Sequence, residues 1–163
     1  MSRTPPPLAD FDAFRRACGR FATGIAIATI ADASGAPQGM TVNSFTSVSA
    51  DPALVLICVD FGCNLLPAFQ TASHYGINVL SERQQDLSDR FACRGHDRFD
   101  GVDWYAGETG VPLLRGSLAH LECGVKQVVD AGDHSILLGQ VHYAHVFSGR
   151  PLLYFESAYR RLD

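Results

Sequence analysis

Residues 39–60 read GMTVNSFTSVSADPALVLICVD, and this stretch decides the fold class. Its first half, led in by Gln38, is rich in β-branched residues and hydroxyls and is expected to run as one strand from Gln38 to Ser49. Asp51-Pro52 then breaks the chain, because proline has no N–H for a ladder and restricts the residue before it. Ala53 to Asp60 follows as an apolar strand. Two strands on either side of so short a break point to a β-rich fold.

Outward from this pair, other elements read in turn. Asp10 is placed to cap a helix whose apolar positions are Phe11, Phe14, Cys18 and Phe21, ended by Gly24. Ile25 and Ile27 alternate with Ala26 and Ala28 in a strand whose outward face is small enough for close packing, and Ser34-Gly35 turns the chain. Residues 64–73 predict a short helix, Tyr75 to Leu80 a strand, and Glu82 to Cys93 a helix with Leu87 and Phe91 on one side. Five glycines and Pro112 between residues 94 and 116 predict a long functional loop or a hairpin excursion.

Two long strands follow. On the first, Ala119, Leu121, Cys123, Val125 and Val129 share one face, and His120, Glu122, Lys126 and Asp130 the other. The second runs from about Ser135 to Phe147, with Leu137, Val141, Tyr143 and Phe147 on one face. That is more apolar material than the outside of a barrel wall needs, so part of it is expected to pack on a second copy of the chain. Pro151 to Glu156 adds a short strand. Six to eight strands with two or three helices make a mainly β fold with flanking helices, a closed or nearly closed barrel with helices at its ends. The expected organisation is a flexible, proline-rich arm over residues 1–10 and a single domain over residues 11–163.

Composition removes several function classes. The 163 residues carry 13 basic and 17 acidic side chains, net −4, and 47% are hydrophobic, too apolar for disorder. The longest apolar run, Ala53 to Val59, is too short to span a bilayer. Lys126 is the single lysine, and no basic cluster invites nucleic acid. Met1 to Asp10 lacks an apolar signal core, so the expected compartment is the cytoplasm. Cys18, Cys58, Cys63, Cys93 and Cys123 are odd in number with no C-x-x-C pair, which predicts reduced thiols.

Chemistry-bearing motifs narrow the field further. The sequence contains no G-x-S-x-G elbow, Walker A loop or G-x-G-x-x-G turn. His142 and His145, three apart on a strand, point to opposite faces, so no metal site is expected. Thr41, Asn43, Ser44, Thr46, Ser47 and Ser49 crowd nine positions. They form either an exposed strand with hydroxyl ladders or a polar wall for a heteroaromatic ring and its phosphate. Arg90, Arg94 and Arg98 make either a solvated helix end or a set aimed at a phosphate. Gly132-Asp133 makes a turn, with His134 opening the strand after it.

In order, these stretches resemble the short-chain flavin reductases, the small components of two-component flavin-dependent monooxygenases. The resemblance is carried by Arg20–Gly24 before an apolar strand, by Gly39–Ser49 with Asp51-Pro52 and Leu54-Val55-Leu56, and by Tyr75–Ser81 with Leu87-Ser88 and Arg90-Phe91-Ala92. Asp97–Val102, Gly132-Asp133-His134 and Pro151–Tyr154 with Tyr159 complete it. It covers the chain from about residue 11. At Cys63-Asn64 similar proteins often have Arg or Ser followed by Ser or Thr, and Arg94 stands where Lys is common.

The resemblance implies a split β-barrel of the FMN-binding type. It implies a homodimeric NAD(P)H:flavin oxidoreductase that uses FMN or FAD and supplies reduced flavin to a separate monooxygenase. The chemistry implied is hydride transfer from nicotinamide C4 to flavin N5, for which the cofactors carry the reaction and the protein provides orientation and electrostatics. By the same resemblance Met40, Thr41, Asn43 and Ser44 approach the flavin ring and ribityl chain. Cys58, Val59 and Asp60 through Asn64 hold the ribityl and phosphate end, with Arg94 near the phosphate. Phe91 and Tyr159 join this cofactor set, and His134 stands on the nicotinamide side as the catalytic residue. No basic pocket for a 2′-phosphate stands out, which favours NADH over NADPH. The alternatives are a barrel that retains its flavin and reduces a corrinoid or metal chelate, and a non-catalytic flavin- or haem-binding module.

Overall fold

The computed structural model describes residues 7–95 and 97–162. Residues 1–6 of the expected arm lie outside the described residues; residues 7–10 are exposed and carry no regular structure. The chain opens with α1 (Phe11–Gly19), β1 (Thr23–Gly24) and β2 (Ala26–Ala31), then β3 (Pro37–Val42), β4 (Thr46–Ala50) and β5 (Ala53–Asp60). After α2 (Leu66–Thr71) and β6 (His74–Val79), a 3₁₀ turn leads into α3 (Gln85–Ala92). The hairpin β7 (Trp104–Ala106) and β8 (Pro112–Leu114) precedes the long strands β9 (Ala119–Ala131) and β10 (His134–Val146). Last come β11 (Leu153–Phe155) and β12 (Ala158–Arg160). No helix among the described residues is long and apolar enough to cross a membrane.

The main sheet is antiparallel, in the order β3-β2-β6-β9-β10-β5-β4. The expected single strand from Gln38 to Ser49 is therefore two strands at opposite edges of that sheet. In a flat sheet six strand spacings would separate those edges by about 29 Å. The four Cα steps from Val42 to Thr46 can reach only about 14 Å. The sheet must curl, and Asn43-Ser44-Phe45 crosses the split between its edges. Ser44 closes the seam, its hydroxyl accepting from the Cys58 N–H and donating to the Cys58 carbonyl, both at 3.0 Å.

Inside the curl lies one core, with Ala28, Ile30, Val55, Ile57, Phe69, Tyr75, Ile77 and Leu137 among its buried members. A second core outside it joins Ile25 and Ile27 to Leu80, Phe91, Phe99, Leu114 and Leu152. The alanine face of β2 thus looks inward and the isoleucine face lies beneath α3, the reverse of the expectation. Phe69 and Tyr75, both fully buried, fill the interior that Ala26, Ala28 and Ile30 of β2 face.

Two bulges overturn the face assignments of the long strands. The first, between Leu138 and Gly139, skips Lys126, so Val128 and not Val129 turns inward with Val125. The second skips His142: Val141 pairs with Cys123, but Tyr143 pairs with Glu122 on the opposite face. Leu137 is therefore a core residue with the half-buried Val141 packed against the core, and Tyr143 and Phe147 are not part of that face. A period of two fails wherever an extra residue enters the ladder.

The N-terminal helix starts as expected, the Asp10 carboxylate accepting from the Ala13 N–H at 3.0 Å. It ends at Gly19 rather than Gly24, and none of its residues is buried. Of the two alternatives for this glycine-rich stretch the hairpin is realised over 104–114, β7 pairing with β8 over the outer face of the sheet.

Candidate functional site

Four segments meet where the sheet splits: the end of β3 with its crossing, the turn after β5, the C-terminal end of α3, and the start of β10. Between them lies a cleft of about 370 Å³. Met40, Thr41, Asn43, Ser44, Cys58, Val59, Asp60, Asn64, Phe91, Arg94 and His134 all line it.

Helix α3 can approach β3 closely because residue 39 is glycine. A Cβ there would stand 2.9 Å from a ring carbon of Phe91 and 3.1 Å from the Ala28 carbonyl oxygen. Phe91 is in turn locked edge-on against Phe99, ring centroids 5.0 Å apart. The Thr41 hydroxyl donates to the Ser88 carbonyl at 2.6 Å, tying β3 to α3 a second time. Two of the hydroxyls that the sequence offered to a ligand, on Thr41 and Ser44, are thus spent holding the walls together. Asn43 is exposed on the crossing. Thr46 and Ser47 lie on the exposed edge strand and do not line the cleft.

The turn after β5 is organised by Asp60. Its carboxylate accepts from the Gly62 N–H and its carbonyl from the Cys63 N–H at 2.9 Å. The Phe61 N–H donates to the Asp133 carbonyl, which brings the β9–β10 turn alongside. The Cys63 thiol lies 3.6 Å from the Met40 sulfur. Burial pushes the Cys58 thiol up from its ordinary pKa, so it stays protonated at neutral pH.

Two guanidinium groups and one imidazole edge this cleft. Arg94 donates to the Gly62 carbonyl at 3.2 Å. Arg98 is pinned by the Gly39 carbonyl at 2.6 Å and the Cys93 carbonyl at 3.0 Å. His134 sits with Nδ1 2.6 Å from the Asp133 carboxylate, and that hydrogen bond holds the carboxyl below its usual range. An ionised carboxylate can only accept, so Nδ1 carries the proton and Nε2 is the acceptor of the neutral ring.

Tyr159 does not line the cleft. Its hydroxyl bonds Ser88 Oγ at 2.9 Å and Asp89 at 2.8 Å on α3, and burial leads the causes that raise its pKa. It supports the helix whose Ser88 carbonyl holds Thr41. Sequence reasoning left out Val42 and Ala92, which also line the cleft, together with Gly62 and Cys63 from the expected Cys58–Asn64 stretch and Arg98 from the arginine set. The signals were present in the Asp60–Gly62 turn and in the run of three arginines, but nothing local said which arginine would turn inward.

His142 lies against His74, ring centroids 5.8 Å apart, whereas His145 pairs with His120. Among the described residues no three His, Cys, Asp or Glu side chains cluster as a metal site would need.

The fold and the cleft define a small antiparallel split barrel with a ligand cleft at its seam. The chain belongs to the flavin reductase like domain family, whose model matches residues 18–163. It is 44% identical over 150 residues to the FMN reductase (NADH) SmoA of Agrobacterium fabrum (strain C58), spanning 92% of this chain and 85% of that protein. It is 37% identical over 151 residues to HsaB, the reductase subunit of a flavin-dependent monooxygenase of Rhodococcus jostii (strain RHA1), spanning 92% and 77%. It spans only 42% and 56% of the length of two other curated relatives. Among solved structures, the NADH:FAD oxidoreductase SgcE6 of Streptomyces globisporus, in complex with NAD and FAD fragments, superposes with a TM-score of 0.89 at 37% identity, covering 97% of this chain and 98% of that one.

Proposed function

We propose that the chain is an NADH-dependent flavin reductase that hands its reduced flavin to a separate flavin-dependent monooxygenase. The observation that carries this reading is the layout of the cleft: an apolar wall of Met40, Val42 and Phe91 between an arginine edge at Arg94 and an imidazole at His134. The family, and near-full-length relatives with FMN, FAD and NADH in their names, support it.

The residues fit a flavin nucleotide. A cleft of this size lies within the range of about 300–1,000 Å³ usual for small-molecule sites. Its apolar wall suits an aromatic ring, and a guanidinium suits a phosphate. A bound flavin supplies the acceptor for the hydride of reduced nicotinamide. The chain's own work is placement. Phe91 and Met40 exclude water from one side of the ring, the Asn43 amide offers hydrogen bonds from the crossing, and Arg94 anchors the charged end. His134, with Nδ1–H committed to Asp133, presents its ring where a nicotinamide amide would lie. Fixing two reactants in register removes orientational freedom that would otherwise raise the barrier.

The partner subunit is a second copy. Tyr143, Val146 and Phe147 are exposed at the far end of β10, and Phe11 and Phe14 are exposed on α1; a twin subunit would cover such apolar surface. Light scattering at micromolar concentration is expected to give a dimer, and a fully active monomer overturns this part. The cytoplasm, with its pool of NADH, is the compartment in which this activity fits.

Steady-state NADH oxidation tests the whole reading. Strong dependence on added flavin is expected. Activity that needs no added flavin and requires another acceptor would favour the retained-flavin alternative, and no oxidation with either would reduce the chain to a binding module.

A further inference from the structure

Two arginines reach the cleft from the segment after α3, and they are held in opposite ways. Arg94 is exposed and donates to the Gly62 carbonyl at 3.2 Å. Arg98 is half-buried, with Nη1 2.6 Å from the Gly39 carbonyl oxygen and Nε 3.0 Å from that of Cys93. No carboxylate among the described residues forms an ion pair with either arginine. A guanidinium that donates to two backbone carbonyls cross-links the segments that carry them.

Those two carbonyls belong to two walls of the cleft. Gly39 lies on β3, the strand that ends the order of the main sheet. Cys93 closes α3, its N–H on the Asp89 carbonyl at 3.3 Å. Arg98 therefore ties the last turn of α3 to β3, at the glycine where Phe91 comes closest to the strand. Phe99, the next residue, meets the same Phe91 edge-on from the apolar side. The turn that delivers both side chains is a tight one, with Asp97 in the left-handed region at φ 61 and its carbonyl accepting from the Asp100 N–H at 3.3 Å.

We propose that Arg98 is a positioning residue for the flavin: it sets where the α3 wall stands, acting through Phe91 and the Cys93 backbone, and leaves the phosphate to Arg94. The proposal rests on the flavin occupying this cleft. It divides the labour between the two arginines. Loss of Arg94 touches only the charged end of the ligand, whereas loss of Arg98 loosens the grip on the ring.

Riboflavin shares the ring and ribityl chain of FMN and has no phosphate, so the two ligands separate these roles. Fluorescence titrations with each are run on the wild type, Arg94→Ala, Arg98→Ala and Arg98→Lys, beside a melting curve of every variant. Arg94→Ala should weaken FMN about thirty-fold and hold riboflavin within about two-fold of wild type. Arg98→Ala should weaken both ligands alike, about ten-fold, and Arg98→Lys, with a single point charge for two carbonyls, should recover part of that loss for both. If Arg98→Ala does not fold, the equal loss in Arg98→Lys, about three-fold, carries the test. A lower melting temperature with both affinities at wild type in the folded protein makes Arg98 structural only and overturns the proposal. Weakening of FMN alone by the Arg98 variants makes Arg98 a phosphate ligand and also overturns it. A wild type that binds FMN but not riboflavin overturns it too, because the ring then has no grip to lose. A wild type that binds neither overturns the flavin reading as well.

Discussion

The cleft at the split and the polar cluster beneath the β7–β8 hairpin both arise from polar residues placed on strands, yet they have opposite fates. Under the hairpin, Glu122 is 1% exposed and its carboxylate accepts from the Glu108 N–H at 3.1 Å, the Thr109 N–H at 2.7 Å and the Thr109 hydroxyl at 2.6 Å. His120, 2% exposed, lies with Nε2 2.8 Å from the Leu114 carbonyl and Nδ1 3.1 Å from the Tyr105 hydroxyl. Nothing in this cluster is left over for a ligand. In the cleft, by contrast, the neutral hydroxyls are consumed by the walls while Asn43, Arg94 and His134 keep hydrogen-bonding capacity toward the opening. Polar residues on a strand mark a site only where the fold leaves some of them unfinished.

The sharpest way to break this contrast is Glu122→Ala. It takes the acceptor from three part-buried donors, the N–H groups of Glu108 and Thr109 and the Thr109 hydroxyl, and the cost in unfolding free energy should reach about 3 kcal/mol. Flavin affinity of the folded fraction should not change. Chemical denaturation beside flavin titration checks both halves, and a shift in flavin binding would join the two regions.

Acid should damage the same cluster. Burial leads the causes that hold His120 below its ordinary 6.5, so below that pH the unfolded chain takes up a proton that the folded chain refuses. For Glu122, burial pushes the carboxyl up, but its hydrogen bonds outweigh that and leave it below the ordinary 4.5. The stability it contributes is present above that value and lost as pH falls through its folded pKa. Melting temperature should therefore decline from about pH 6.5 downward, and a flat profile over that range would remove both groups as its source.

On the cleft side, Arg94→Ala should weaken flavin by about 2 kcal/mol, roughly thirty-fold, through loss of a charge-assisted contact. Its melting curve should stay near wild type, since the side chain is exposed. Arg94→Lys should recover only part, because an ammonium lacks the two-pronged geometry.

Asn43 and Ser44, adjacent in sequence, should separate. Asn43→Ala is expected to cost about 1 kcal/mol of flavin affinity with no loss of stability. Ser44→Ala removes the clasp on Cys58 and should cost about 1 kcal/mol of stability as well. Equal stability in the two would mean that the seam does not need its hydroxyl.

The smallest effect is expected at His134. His134→Ala should raise KM for NADH or slow flavin reduction by about three-fold while flavin Kd holds, as loss of one neutral orienting contact implies. Normal stopped-flow reduction in this variant would take His134 out of the site.

The sequence alone determined the β-rich class, the Asp10 cap and the ordered motifs that carry the family resemblance, because hydrophobic alternation, capping side chains and motifs are written in neighbouring residues. The family resemblance carried by those motifs named eleven residues that the fold brings together around the cleft, and also Tyr159, which the fold puts behind α3. Tertiary structure decided the rest. That Gln38–Ser49 is two strands on opposite edges follows from closure of the sheet, which no window of ten residues contains. The bulges at Lys126 and His142 switch faces through pairing with a partner strand. Whether a hydroxyl holds a wall or meets a ligand depends on which backbone group comes within 3 Å of it, and for Ser44 and Thr41 those groups lie 14 and 47 residues away.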